Sequence, residues 1–274
     1  MPEATDSKAT WSIYGIRHAT NENRRRGQNF ILEDDPAGSQ VLDFYSWVLV
    51  REGRAIIVDT GMDPEKAAKH GHKHLLSPVR ALAALGVDAA MADTVILTHA
   101  HYDHLGYLDA FPNARFHMQA EEMAYIAGPW MEKSWFRRAY EPDDIVRLVH
   151  LLHGGRLSLH GRDVHIADGV SVHWVGGHCA GQEVVRVRTG RGWVVLASDA
   201  LHYYEEYERN IPFAVAFNLS DMIAAHDRIR ALADSDDHVL PAHDPLIADI
   251  YPTGSIPNIF RLDVSPVRKS DHAL

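Results

Sequence analysis

Cysteine is nearly absent: Cys179 stands alone among 274 residues, which excludes an intramolecular disulfide framework. No apolar run approaches the roughly 20 residues a membrane helix needs; the longest stretch, residues 81–92, is broken by Gly86 and Asp88. Basic residues are in the minority, with 27 Lys plus Arg against 37 Asp plus Glu and a formal charge of −10. A nucleic-acid binder needs a basic face for the phosphates, so that class is set aside. The opening MPEATDSKAT is polar and carries two acids, unlike a secretory leader. No nucleic-acid partner and no membrane partner are expected, and the cytoplasm is the expected address.

What the chain has in excess is histidine, with 19 residues. Histidine is the commonest metal ligand and a frequent acid–base group. The remaining composition, 46% hydrophobic and 23% charged, is that of a folded protein able to bury one sizeable core. We read residues 1–274 as a single domain with 1–9 as a loose tail.

Residues 11–17 read as a first strand, followed by a polar, turn-rich loop over 21–40. Apolar runs at 44–51 and 55–59, joined by Glu52-Gly53-Arg54, read as a hairpin. Asp63-Pro64 and Ser77-Pro78 are helix starts. Residues 94–98 are a short buried strand, 115–118 another, and 119–127 a helix. A helix is expected from Pro142, short antiparallel strands over 157–175, and a strand pair at 183–188 and 193–197. A helix over 220–233 capped by Ser220 precedes a last strand at 238–240. This order predicts an α+β sandwich of two mainly antiparallel sheets with outer helices.

The chemistry concentrates in Thr98-His99-Ala100-His101-Tyr102-Asp103-His104-Leu105-Gly106. His99 and His101 are two apart, so in extended chain both imidazoles face one ion. Asp103 and His104 follow where the chain turns and can face a second ion. Such ligands suit zinc, and also iron, manganese or cobalt. Asp59 at a strand end either orients a ligand histidine or stabilises a turn. Further on, His178 sits in a Gly-rich turn, Asp199 ends the apolar strand VVLAS, and His243 follows the last strand. A buried acid is costly unless paired or metal-bound, which makes Asp199 a natural bridge between two cations.

The motifs HAHYDH, GGHCAG, LASDA and PAHD, in that order, resemble those of the metallo-β-lactamase superfamily, over about residues 55–244. The resemblance implies an αββα sandwich with a dinuclear site at one edge of the two sheets. It implies that His99, His101 and His178 hold one metal, that Asp103, His104 and His243 hold the other, and that Asp199 bridges. Two divalent ions, with zinc foremost, are the implied cofactors.

Local flavour is closest to the N-acyl-homoserine-lactone lactonase group: His104-Leu105-Gly106, then Phe111-Pro112-Asn113-Ala114 and QAEEMAY. The implied reaction is opening of a small lactone by a hydroxide bridging the metals, with Asp103 or Asp199 returning a proton to the leaving alkoxide. A glyoxalase II-type thioesterase and a β-lactamase are the rival hydrolases, and a homodimer is the assembly the resemblance suggests. One position departs: the group usually carries a tyrosine three residues after the bridging aspartate, where this chain has His202. Either His202 donates to the carbonyl oxygen, or Tyr203 or Tyr204 shifts into that role, or the substrate is a different lactone.

Other histidines are set aside. His70, His72 and His74 lie among lysines and are expected to face solvent. Cys179 is read as a small filler beside His178. Trp130, Trp135 and Phe136 either line an apolar pocket or pack in the core.

Overall fold

A computed structural model describes residues 10–254 and 256–267; the loose tail expected at 1–9 lies outside them. The strands are β1 (Ser12–Asn21), β2 (Leu42–Arg51), β3 (Arg54–Val58), β4 (Lys73–His74), β5 (Thr94–Ile96), β6 (Arg115–Gln119), β7 (Leu157–His160), β8 (Asp163–Ala167), β9 (Val170–Trp174), β10 (Glu183–Thr189), β11 (Gly192–Ser198), β12 (Val239–Pro241) and β13 (Ile259–Arg261). One sheet runs β13-β1-β2-β3-β5-β6-β7, with β4 against β1, and the other runs β12-β11-β10-β9-β8.

Strand alternation builds the layers. Trp47, Leu49, Ile56 and Val58 enter the core between the sheets, where they meet Val185, Val187 and Leu196. Val48 and Ile57 point the other way, into a second core under the helices Pro78–Ala84, Ala120–Ile126 and Pro142–His153. A strand with both faces covered reads as a continuous apolar run, as residues 47–50 and 55–58 do. The helix Leu219–Leu232 covers the far side through Ala225 and Ile229. The result is a helix–sheet–sheet–helix sandwich, as expected.

Several local readings need correction. Residues 157–160 do not join 163–174: β7 pairs parallel with β6 in the first sheet, because the loop at Gly161 and Arg162 lets the chain change sheets. The helix expected from Ser220 starts one residue earlier. Its cap is Asn218, whose side-chain oxygen accepts from the backbone of Ser220 and Asp221 at 2.9 and 3.3 Å. Residues 21–40 hold a short helix, Arg26–Asn29. The strand at 239–241 is not the last, since β13 adds to β1.

Antiparallel pairing prevails in both sheets, but the run β3-β5-β6-β7 is parallel, as is β11-β12. Parallel neighbours end at the same edge. The chain therefore delivers Asp59 and the segment from His99 side by side, and Asp199 beside His243.

Candidate metal centre

Two groups of side chains converge at that edge. The ligating atoms of His99, His101, His178 and Asp199 lie within 4.8 Å of one another, and so do those of Asp103, His104, Asp199 and His243. All seven are buried. Asp199 faces both groups. Its Oδ2 lies 3.3 Å from His178 Nε2 and 3.8 Å from His99 Nε2, while its Oδ1 lies 3.2 Å from both His104 Nε2 and His243 Nε2. His101 Nδ1 and His178 Nε2 approach to 2.9 Å.

The far side of four of the five imidazoles meets a hydrogen-bond acceptor. His104 Nδ1 meets Asp59 Oδ2 at 2.8 Å, His178 Nδ1 meets the Val215 carbonyl at 2.8 Å, and His243 Nδ1 meets the Asp43 carbonyl at 2.7 Å. Each acceptor draws the ring proton to Nδ1 and leaves the Nε2 lone pair turned inward. His99 follows the same rule more loosely, with Nδ1 at 3.2 Å from the Thr98 hydroxyl. His99 Nε2 and His104 Nε2 are buried and have no hydrogen-bond partner. Inward lone pairs, orphaned nitrogens and a shared carboxylate are a donor set that fits two divalent cations. Burial, before any charge effect, pushes His99 and His178 well below the usual imidazole range and His101 to about 4. The neutral form, which ligates, is thereby favoured at these three; at His104 burial is outweighed by the charges of Asp103, Asp59 and Asp199, which raise it well above that range.

Of the two roles left open for Asp59, the geometry has the first, the orientation of a histidine. Asp59 holds His104, and it ties its strand end to that of β5 by accepting from the Thr98 amide and hydroxyl, each at 2.8 Å. Its φ of 59° is left-handed, as is that of Ser198 at 48°, a costly conformation for residues other than glycine.

Five of the seven, His101, Asp103, His178, Asp199 and His243, form the floor of a cavity of about 490 Å³, within the range of small-molecule sites. His202 lines it. Its ring stacks on Phe213 at 3.5 Å between centroids, and its Nε2 lies 3.3 Å from Asp199 Oδ2. Tyr203 and Tyr204 do not line it. The Tyr203 hydroxyl donates to the Val41 carbonyl and accepts from Asn29, both at 2.9 Å; the Tyr204 hydroxyl donates to the Val239 carbonyl at 3.0 Å. Both rings are buried in the core.

His70 and His72 correct the expectation that they face solvent. Both line the cavity. His70 stacks on Tyr102 at 3.7 Å, and His72 Nε2 meets the Tyr102 hydroxyl at 2.7 Å. The two-residue strand β4, which the sequence reading missed, turns this segment inward. His74 is half-buried on β4. Trp135 lines the cavity while 56% exposed, and Trp130, itself exposed, packs edge-on against Phe136 and Phe217. Cys179 is buried in the core beneath the first sheet, which is the filler role.

Sequence reading passed over two acids. Glu122 is fully buried and accepts from the amides of Ala100 and Gly181, each at 3.0 Å, tying the His99–His101 segment to the His178 turn. Glu206, one helical turn after His202, accepts from the amides of His202 and Tyr203, each at 2.9 Å. The signal available for Glu122 was an acid on the apolar stripe of a helix, beside Met123 and Ile126.

The model of the family described as Metallo-beta-lactamase superfamily matches residues 42–243. A probable metallo-hydrolase of Mycobacterium bovis is 26% identical over 235 residues, 72% of each chain. The N-acyl homoserine lactonase AttM of Azorhizobium caulinodans is 29% identical over 185 residues, 64% of this chain and 65% of that one. Among solved structures, a quorum-quenching N-acyl homoserine lactone lactonase superposes with a TM-score of 0.72 at 23% identity, covering 88% of this chain and 95% of that one. Among the described residues, no helix is long and apolar enough to cross a membrane.

Proposed function

The chain belongs to the metallo-beta-lactamase superfamily, and from that premise we propose that it is a dinuclear metal-dependent hydrolase that opens a lactone ring. The observation that carries this reading is the pair of four-residue ligand groups sharing Asp199 at the floor of the cavity. The lactonase relatives, similar over about two thirds of their length, support the ester class.

His99, His101, His178 and Asp199 would hold one divalent ion, and Asp103, His104, Asp199 and His243 the other, with zinc the first choice. Bound there, the ions supply Lewis acidity and an activated water near neutral pH. The chain's residues do the rest. Asp59 and the carbonyls of Val215 and Asp43 hold three imidazoles in one tautomer. Asp103 or Asp199 carries a proton to the leaving alkoxide. His202 donates from Nε2 toward the oxygen of the scissile carbonyl, a role that Tyr203 and Tyr204, committed to Val41 and Val239, do not share.

The test is a turnover assay with the purified protein, with metal content measured on the same sample. The panel holds acyl homoserine lactones of varied chain length, simple γ-lactones, a thioester and a β-lactam. Lactone opening with about two bound ions per chain supports the reading. Thioester or β-lactam turnover without lactone opening refutes the substrate class, and full activity after chelator dialysis refutes the metal.

A further inference from the structure

The mouth of the cavity is lined by two arginines from separate segments, Arg24 after β1 and Arg138 after the short helix Ser134–Arg137. Among the described residues neither forms an ion pair. Arg24 spends Nε on the Asn29 side-chain oxygen at 2.7 Å and Nη2 on the Gln28 carbonyl at 3.2 Å, both uncharged acceptors. Arg138 Cζ sits over the Trp135 ring, 3.7 Å from its centroid, a cation–π contact that engages the guanidinium's charge and uses no N–H acceptor. Burial first, and the charge of Arg24 second, hold Arg138 below its usual pKa, so two like charges share this mouth.

The surroundings make this pairing conspicuous. The chain has ten more acids than bases. Two other arginines of this region are neutralised, Arg26 and Arg209 both by Glu33 and Glu205. Glu141 is committed to Lys69 and His70. The acids that line the cavity are Asp103 and Asp199, both in the ligand groups of the floor. Like charges brought together disfavour one another unless a counter-charge enters. Guanidinium edges match the geometry of an oxyanion.

We propose that the substrate bears an oxyanionic group, a carboxylate or a phosphate, which Arg24 and Arg138 hold at the mouth while the ester end reaches the floor. This rests on the hydrolase reading and narrows its substrate class, because an uncharged acyl lactone would leave both guanidiniums without a counter-charge.

The experiment compares matched γ-lactones that carry a carboxylate, a phosphate or a carboxamide at the same position. The wild-type chain, Arg24→Gln, Arg138→Gln and the double variant are each checked for an unchanged melting temperature. The readouts are kcat/KM and, separately, calorimetric affinity for the corresponding lactams. The expected result is a preference for an oxyanion over the carboxamide that falls on the order of tenfold for each arginine removed, and that weakens with added salt. Whichever of carboxylate and phosphate is preferred identifies the group. Equal use of charged and neutral compounds, or a preference that survives in the double variant, overturns the proposal. If no lactone is turned over, the lactone-opening reading has failed, and the lactam affinities still decide whether the arginines bind an oxyanion.

Discussion

Replacing Glu122 separates the architecture of the site from its chemistry. The carboxylate is wholly buried and accepts one amide on each oxygen, Ala100 on Oε1 and Gly181 on Oε2. Ala100 stands between His99 and His101, and Gly181 lies three residues after His178. One side chain thus ties together three of the four residues in one ligand group. In Glu122→Gln the side-chain NH2 replaces one acceptor, so one of the two buried amides loses its partner, at a cost of roughly 1–3 kcal/mol. Glu122→Ala strands both, for roughly twice that plus a cavity cost. Against a typical total stability of about 5–15 kcal/mol, the glutamine variant remains folded. Loosening a group that orients ligands costs roughly 10–100-fold in metal affinity. Chelator competition should therefore show weaker binding of one ion more than the other, with turnover recovering at saturating metal, while urea unfolding of the metal-free protein reports the stability loss. A Glu122→Gln protein that loses stability but binds both ions with wild-type affinity would refute the tether.

Three further outcomes are expected. Asp199→Ala should lower occupancy of both ions and abolish turnover together, since its two oxygens face the two groups; retention of two ions by elemental analysis contradicts the bridge. His202→Ala should keep the metals and lose on the order of 100-fold in kcat, whereas His202→Tyr should tolerate or improve acyl-homoserine-lactone opening; wild-type rates for His202→Ala on every substrate would make His202 a packing residue on Phe213. The third concerns acid. Burial, then His160 and Arg115, lowers His117 from 6.5 to about 4, so the folded state binds fewer protons than the unfolded chain between these values. The stabilisation is complete above 6.5 and is lost as pH falls toward 4; His117→Gln should flatten unfolding stability in that window, and an unchanged slope counts against it.

The sandwich was legible because its strands are apolar runs with covered faces and its helices announce themselves with Asp63-Pro64 and Ser77-Pro78. The seven residues of the two ligand groups were legible because each follows a strand end, and the parallel pairs β3–β5 and β11–β12 bring those ends together. What escaped depends on contacts distant in sequence. Strand β13 is three residues long and gains its place in the sheet by pairing with β1. Its partner segments are more than 240 residues apart. His70 and His72 sit among lysines, and only β4 and the stack on Tyr102 turn them into the cavity. The acceptors behind His178 and His243 are backbone carbonyls of Val215 and Asp43, which no residue type reveals.

Thr98 explains why two left-handed residues persist beside the site. Its hydroxyl donates to Asp59 Oδ2 at 2.8 Å and lies 2.7 Å from the Ser198 hydroxyl. With its one proton given to Asp59, the Thr98 oxygen accepts from Ser198 and, at 3.2 Å, from His99 Nδ1. One hydroxyl therefore joins the ends of β3, β5 and β11. Asp59 at φ 59° and Ser198 at φ 48° each carry a conformational cost of order 1–3 kcal/mol, offset where these buried hydrogen bonds replace groups that would otherwise be unpaired. The same bonds set direction. The proton that His99 gives to Thr98 and the proton that His104 gives to Asp59 are the ones that leave both Nε2 atoms bare and facing Asp199. Local strain, tautomer and ligand geometry are thus one connected arrangement, in which the backbone departs from its usual preferences at the two strand ends that carry the site.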